Sequence, residues 1–288
     1  MKDTIKVVEC PRDAMQGMDT WIPTKDKIRY IEALLKVGFH TLDAGSFVSH
    51  KAIPQLKDTV EVFESIDWKV SSTRLLAIVA NLRGAEDAAA MPMIKDVGFP
   101  FSVSETFQQR NTHSSIAESL ERVKQINACC ADANKSLVIY ISMGFGNPYG
   151  DVWSPQIVID WSRRLYEEMG IKTIALSDTV GVANPETIDF LFRTLIPALP
   201  EVEFGAHLHT TPNTWKEKID SAWKAGCRRF DGAIRGYGGC PMAADDLTGN
   251  MPTENLLSFF EEEKVELGLN VQHFATCVQM AEQLFLPH

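Results

Sequence analysis

Several things are missing from this 288-residue chain, and each absence narrows its chemistry. No apolar run approaches the length of a membrane span. No excess of positive charge is present. Lys and Arg number 28 against 38 Asp and Glu, a formal charge of -10, which argues against nucleic acid as a partner. The six cysteines show no CxxC spacing, so neither a zinc knuckle nor a disulfide framework is suggested, and free thiols in a reducing cytoplasm are the expectation. The N-terminus, Met1-Lys2-Asp3-Thr4, runs into a strand-like segment without the apolar core of a signal peptide. No dinucleotide-binding glycine fingerprint follows that segment. Hydrophobic content of 45% and charged content of 23% are ordinary for a soluble globular chain, and the length suits one large α/β domain spanning residues 1–288.

What is present is an alternation of short apolar runs and amphipathic stretches. Strands are predicted over Ile5–Cys10, Thr41–Ala44, Leu75–Val79, Phe99–Val103, Leu137–Ile141, Thr173–Leu176, Glu203–His207 and Arg229–Ile234. Helices are predicted from Thr24 to near Gly38, and over Gly84–Met91, Ser115–Ala128, Ser154–Met169, Pro185–Ile196 and Trp215–Ala225, with two more closing the chain at Thr253–Leu267 and Val271–Leu286. Eight strands alternating with helices predict an α/β fold, a (β/α)8 TIM barrel with extra C-terminal helices. An open doubly wound sheet is the alternative. The polar residues favour the barrel. Arg12, Asp13, Asp43, Ser142, Asp178, His207, His209 and Cys240 all fall at or just after the C-terminal end of a predicted strand, and in a barrel those positions ring one mouth.

His207-Leu208-His209 is the centre of that set. In an extended strand, residues i and i+2 face the same way, so both imidazoles can converge on one divalent ion. Two ordinary polar histidines at a strand end are the plain alternative. Asp13 offers a carboxylate and Asn250 an amide oxygen. Mixed nitrogen and oxygen ligation with open positions suits Mg, Mn, Co or Zn, with Mg2+ or Mn2+ expected. Arg12 would place a fixed positive charge beside the cation, which suits an enolate or carboxylate, although a surface ion pair is equally compatible with Arg12-Asp13. Cys240 follows the glycines Gly236, Gly238 and Gly239. It could exchange a proton with a carbanion, or simply be a small buried residue.

Together these stretches resemble a known family. Val8-Glu9-Cys10-Pro11-Arg12-Asp13, the run from Ser46 to Gln55, Asn81-Leu82-Arg83-Gly84, Ser177 to Val182, His207-Leu208-His209, Gly238-Gly239-Cys240-Pro241, Thr248-Gly249-Asn250 and Thr253-Glu254-Asn255-Leu256 are similar, in order, to motifs of the 3-hydroxy-3-methylglutaryl-CoA lyases. These belong to a metal-dependent TIM-barrel superfamily of acyl-CoA lyases and synthases. The resemblance implies retro-Claisen cleavage of an acyl-CoA, with Asp13, His207, His209 and Asn250 as metal ligands. It implies Arg12 as the enolate-stabilising group, Cys240 as the catalytic thiol, and Asp43 and Asp178 as acidic groups near the reacting hydroxyl. Ser46 and Asn81, with Arg12, are implied to meet the substrate. A homodimer is the expected assembly.

The chain departs from the family pattern in places. Thr210 stands where an aspartate that supports the metal ligands is usual, Asp43 where glutamate is usual, and Asn147 where a second cysteine is frequent. One extra residue is read between Cys240 and Asn250. Two other functions compete with the lyase. One is a Claisen-condensing synthase of the isopropylmalate or homocitrate type, which usually carries a further C-terminal region. The other is a catalytically silent barrel acting as a binding module, which the presence of Asp13, Cys240 and both histidines disfavours.

Overall fold

A computed structural model of the chain describes residues 4–239 and 248–285. Eight parallel strands close on themselves: β1 (Lys6–Glu9), β2 (Thr41–Ser46), β3 (Arg74–Ile78), β4 (Ile94–Ser102), β5 (Ser136–Ser142), β6 (Thr173–Asp178), β7 (Glu203–Thr210) and β8 (Arg229–Gly232). Each strand pairs with the next, and β8 pairs back to β1 with Lys6 opposite Arg229. This is the (β/α)8 barrel predicted from the alternation. A ninth short strand, β9 (Gly249–Asn250), runs antiparallel to β7 and sets Asn250 opposite His209.

Helices α1 (Pro11–Gln16), α2 (Thr24–Leu35), α3 (Thr59–Ser65), α4 (Leu82–Ala89), α5 (Glu105–Thr112) and α6 (Ile116–Asp132) fill the first half of the chain. The second half carries α7 (Pro155–Met169), α8 (Pro185–Ala198), α9 (Trp215–Lys224), α10 (Thr253–Glu262) and α11 (Val271–Phe285). Their starts follow from local chemistry. Ser115 and Glu118 form a reciprocal capping box at α6, Asn184 and Thr187 do the same at α8, and proline opens α7. Gly170, at φ 68°, ends α7.

The strands alternate in what they touch. Leu75, Ala77, Ile139, Ile141, Ile174 and Leu176 join the main core with the helices. Their neighbours Leu76, Ile78, Val138, Tyr140 and Ala175 form a separate apolar cluster, the layered filling inside the barrel. α11 packs on α2 through edge-on ring contacts such as Tyr30–Phe285, 5.7 Å between centroids.

Several elements differ from the sequence reading. β4 starts at Ile94, five residues before the predicted Phe99, because Gly98 and Pro100 break the strand pattern although Phe99 and Phe101 pack into the core. Gly98 leaves room for its neighbours inside the barrel: a Cβ would lie 2.5 Å from Ile78 Cδ1, which would have to move. α1, α3 and α5 arise in stretches for which the sequence predicts no helix, being too short or too polar to show a periodic apolar face. The penultimate helix stops at Glu262 rather than Leu267.

One buried acid ties the barrel together. Glu9 is fully buried, and its carboxyl accepts from the Ile234 amide at 2.9 Å and the Thr253 hydroxyl at 2.5 Å. Burial pushes its pKa up to about 8 in spite of these two donors. The folded chain therefore keeps a proton on Glu9 that the unfolded chain loses above pH 4.5. Stability from this group is full below that pH and is lost as pH rises toward about 8. Glu9→Gln keeps an acceptor for the amide and is expected to flatten that loss. Thermal melts of both proteins from pH 5 to 9 should diverge with rising pH, the variant melting higher at the alkaline end; parallel curves would refute it.

Candidate active site

The first candidate ligand comes from the turn after β1. Pro11 opens α1 at the strand end, and its first turn delivers Arg12 and Asp13 into the barrel mouth, with Asp13 6% exposed. β7 delivers His207 and His209 from one face, as the i, i+2 spacing requires. One ligand atom each from Asp13, His207 and His209 lies within 4.8 Å of the others. Asn250 completes the group, its side-chain amide donating to Asp13 Oδ2 at 2.8 Å and to the Tyr237 carbonyl at 2.9 Å.

The electrostatics leave these groups in forms that could bind a cation. Burial alone would raise the Asp13 carboxyl, but Arg12, His207 and Asn250 outweigh it and hold its pKa below the usual carboxylate value. Burial, reinforced by His207, lowers His209 to about 4, so its imidazole is neutral at pH 7. Its Nδ1 is buried without a hydrogen-bond partner among the described residues. A buried ring nitrogen with nothing to bond is a group that a cation would satisfy.

Asp231, on β8, was not singled out from sequence. Its carboxylate lies 3.1 Å from His207 Nδ1. That pairing makes Nδ1 the protonated nitrogen and leaves Nε2 free for a cation. Burial works against a charged His207 ring, yet Asp231 and then Asp13 raise its pKa overall. A carboxylate thus backs one histidine from β8, whereas Thr210 occupies the position after His209. Cys10, His207 and Asp231 also lie within 4.8 Å of one another. They make a poor ligand set, because burial and three nearby carboxylates push the Cys10 thiol well up and Asp231 is already committed to His207. Asp231→Asn is expected to weaken divalent-metal affinity roughly 10- to 100-fold, with little change in thermal stability of the metal-free protein. Competition with a metallochromic dye would check it, and an unchanged affinity would remove Asp231 from the account.

Arg12 lies between two acids. Its Nε and one terminal nitrogen grip the Asp43 carboxylate of β2, while the other reaches Asp13 at 3.0 Å and Gln16 at 2.8 Å. Burial raises the Asp43 pKa although Arg12 opposes it. Asp178 is brought to the end of β6 but faces a different partner. Its Oδ2 accepts from buried Lys218 at 2.7 Å and its Oδ1 from the Ala183 amide. Lys218 Nζ also donates to the His209 carbonyl at 2.8 Å, so this pair props the strand that carries the histidines. Ser46 lies at the end of β2, where its Oγ accepts from the Val48 amide, and Asn81 caps α4 by accepting from the Gly84 amide.

Cys240 and the extra residue read after it lie outside the described residues. The described start of that loop presses on the site. Gly238 sits at φ 82°, and a Cβ there would come 2.5 Å from the Asp13 carbonyl oxygen, so only glycine allows this approach. Lys218 and Asp231 escaped the sequence reading because their partners are 40 and 24 residues away. The one available signal was Arg229 and Asp231 at alternate positions of an otherwise apolar strand.

The chain is similar to known proteins along almost its whole length. The HMGL-like family model matches residues 5–280. The chain is 34% identical over 282 residues to the hydroxymethylglutaryl-CoA lyase of Bacillus subtilis, covering 98% of this chain and 93% of that one. The crystal structure of the Bacillus subtilis HMG-CoA lyase superposes with a TM-score of 0.92 at 31% identity, covering 99% of this chain and 96% of that one. An HMG-CoA lyase from Acinetobacter baumannii, solved in complex with coenzyme A and 3-methylmalate, superposes with a TM-score of 0.89 at 30% identity, covering 98% and 92%. The buried acid–histidine cluster at the strand ends and these full-length likenesses lead to one conclusion: the chain belongs to the HMGL-like family of carbon–carbon lyases.

Proposed function

We propose that this protein cleaves 3-hydroxy-3-methylglutaryl-CoA into acetyl-CoA and acetoacetate by a retro-Claisen reaction. The observation that carries the proposal is the convergence of Asp13, His207 and His209 at the C-terminal mouth of a barrel whose relatives are HMG-CoA lyases. In this reading Asp13, His207, His209 and Asn250 hold a divalent cation, Mg2+ or Mn2+. When bound, the ion supplies Lewis acidity toward the substrate hydroxyl and the carbonyl oxygen it reaches.

The chain's own residues do the rest. Asp43, whose pKa burial raises, accepts the hydroxyl proton, and Arg12 fixes its orientation. As the C–C bond breaks, the electron pair moves to the thioester α-carbon, and the guanidinium of Arg12 stabilises the enolate oxygen. The Cys240 thiol returns a proton to that carbon, giving acetyl-CoA. Asp178 serves as a positioning residue in this reading, its carboxylate holding the Lys218 ammonium that also donates to the His209 carbonyl. Ser46 and Asn81 line the approach of the acyl-CoA, which enters at the loops following the early strands.

The test is an assay of acetyl-CoA release over a panel of 3-hydroxyacyl-CoA thioesters, with Mg2+ or Mn2+ and with a chelator. Release from 3-hydroxy-3-methylglutaryl-CoA, abolished by chelation, is expected. Release from none of the thioesters would overturn the proposal, and condensation of acetyl-CoA with a keto acid would favour a synthase.

A further inference from the structure

The opposite end of the barrel carries a second charged site. A cavity of about 230 Å³ opens at the N-terminal mouth, lined by the residues that begin or precede the strands, among them Lys6, His40, Arg74, Asp96, Glu203 and Arg229. Lys6, Arg74 and Glu203 form its rim, their side chains 35%, 38% and 30% exposed. Arg229 is only 2% exposed and lies deeper.

The charges at this mouth do not cancel. Arg74 makes a two-point pair with Asp96, and Lys6 is paired with Glu203. Arg229 is left with a single contact at 3.5 Å to the already engaged Glu203. Its Nε and one terminal nitrogen are buried with no hydrogen-bond partner among the described residues. His40 adds nothing: burial first, then Lys6 and Arg229, lower it to about 4 against the weaker pull of Glu203 and Asp96. Asp231, two residues further along β8, is the carboxylate that favours the Arg229 charge most, but its hydrogen bond goes to His207 toward the other mouth. Gly205 makes room for the arginine arm, since a Cβ there would lie 3.1 Å from Arg229 Cδ. A buried guanidinium with two idle donors is costly unless something binds it. Its planar fork matches the oxygens of a carboxylate or a phosphate.

We propose that the N-terminal mouth of the barrel is a binding site for one small oxyanion, phosphate or a short carboxylate, held by Arg229 with help from Lys6. The bound anion supplies the hydrogen-bond acceptors that Arg229 lacks and offsets the repulsion from Lys6 and Arg229 that adds to burial in keeping His40 unprotonated. The proposal is independent of the lyase reading, because its readouts do not involve turnover.

The experiment is an NMR titration of the His40 ring in the full-length protein, with inorganic phosphate and, separately, acetate at constant ionic strength. Saturable shifts and a rise of the His40 pKa from about 4 are expected with at least one of the two; the responding anion identifies the class. Arg229→Gln is expected to weaken the dissociation constant roughly tenfold or more. Lys6→Gln, at a more exposed position, should weaken it several-fold and serves if the buried variant fails to fold. No saturable response to either anion would mean that the cavity holds only water, overturning the proposal. So would a dissociation constant unchanged in every folded variant.

Discussion

His209→Ala is expected to lose at least 100-fold in divalent-metal affinity and to lose turnover with it. The magnitude follows from position. Removing a group that merely orients a ligand costs roughly 10- to 100-fold, and His209 is in this account a ligand itself. Its ring is neutral, 3% exposed, and has a nitrogen with no hydrogen-bond partner among the described residues. Metal content after gel filtration would be compared between wild type and variant, with a thermal melt of both metal-free proteins as the control for folding. Equal metal content would mean that the two histidines are structural polar residues, however close they lie to Asp13.

Cys240→Ala is expected to separate chemistry from binding. Metal content and the Michaelis constant should stay close to wild type, while kcat falls roughly 100- to 10,000-fold, the usual contribution of a positioned proton donor. The proposed mechanism requires that split. Arg12, Asp13 and the histidines act on the substrate before and during C–C cleavage, whereas the thiol acts only on the carbanion that cleavage leaves. Cys240→Ser, whose hydroxyl is a much weaker acid, should rescue little. Wild-type turnover in Cys240→Ala would transfer the proton-return role to another group.

Much of the fold could be read from the residues, because a barrel strand buried on both faces is a short, nearly continuous apolar run. Leu137–Ile141 and Leu75–Val79 show this plainly. The site was readable for a related reason. Polar residues such as Asp43 and His207 interrupt those runs near their C-terminal ends, where a barrel gathers them. What escaped reading depends on partners far apart in the chain. Nothing in the neighbourhood of Lys218 marks it as a buried cation, since on α9 it resembles the exposed Lys216 and Lys224. Only the fold brings Asp178 and the His209 carbonyl to its ammonium group. Asp231 is hidden likewise, and the carboxylate expected after His209 is supplied to His207 from β8. Helices α3 and α5 were missed because tertiary contacts, such as Phe63 and Phe107 packing into the core, stabilise them rather than a long apolar stripe.

In the proposed mechanism one divalent cation sits between Asp13, His207 and His209. Anomalous diffraction from crystals grown with Mn2+ tests it most directly. The account predicts a single strong peak at the C-terminal mouth, within about 2.0–2.3 Å of a carboxylate oxygen of Asp13 and one nitrogen of each histidine. A peak elsewhere, or none at this mouth with Mn2+ in excess, would contradict it.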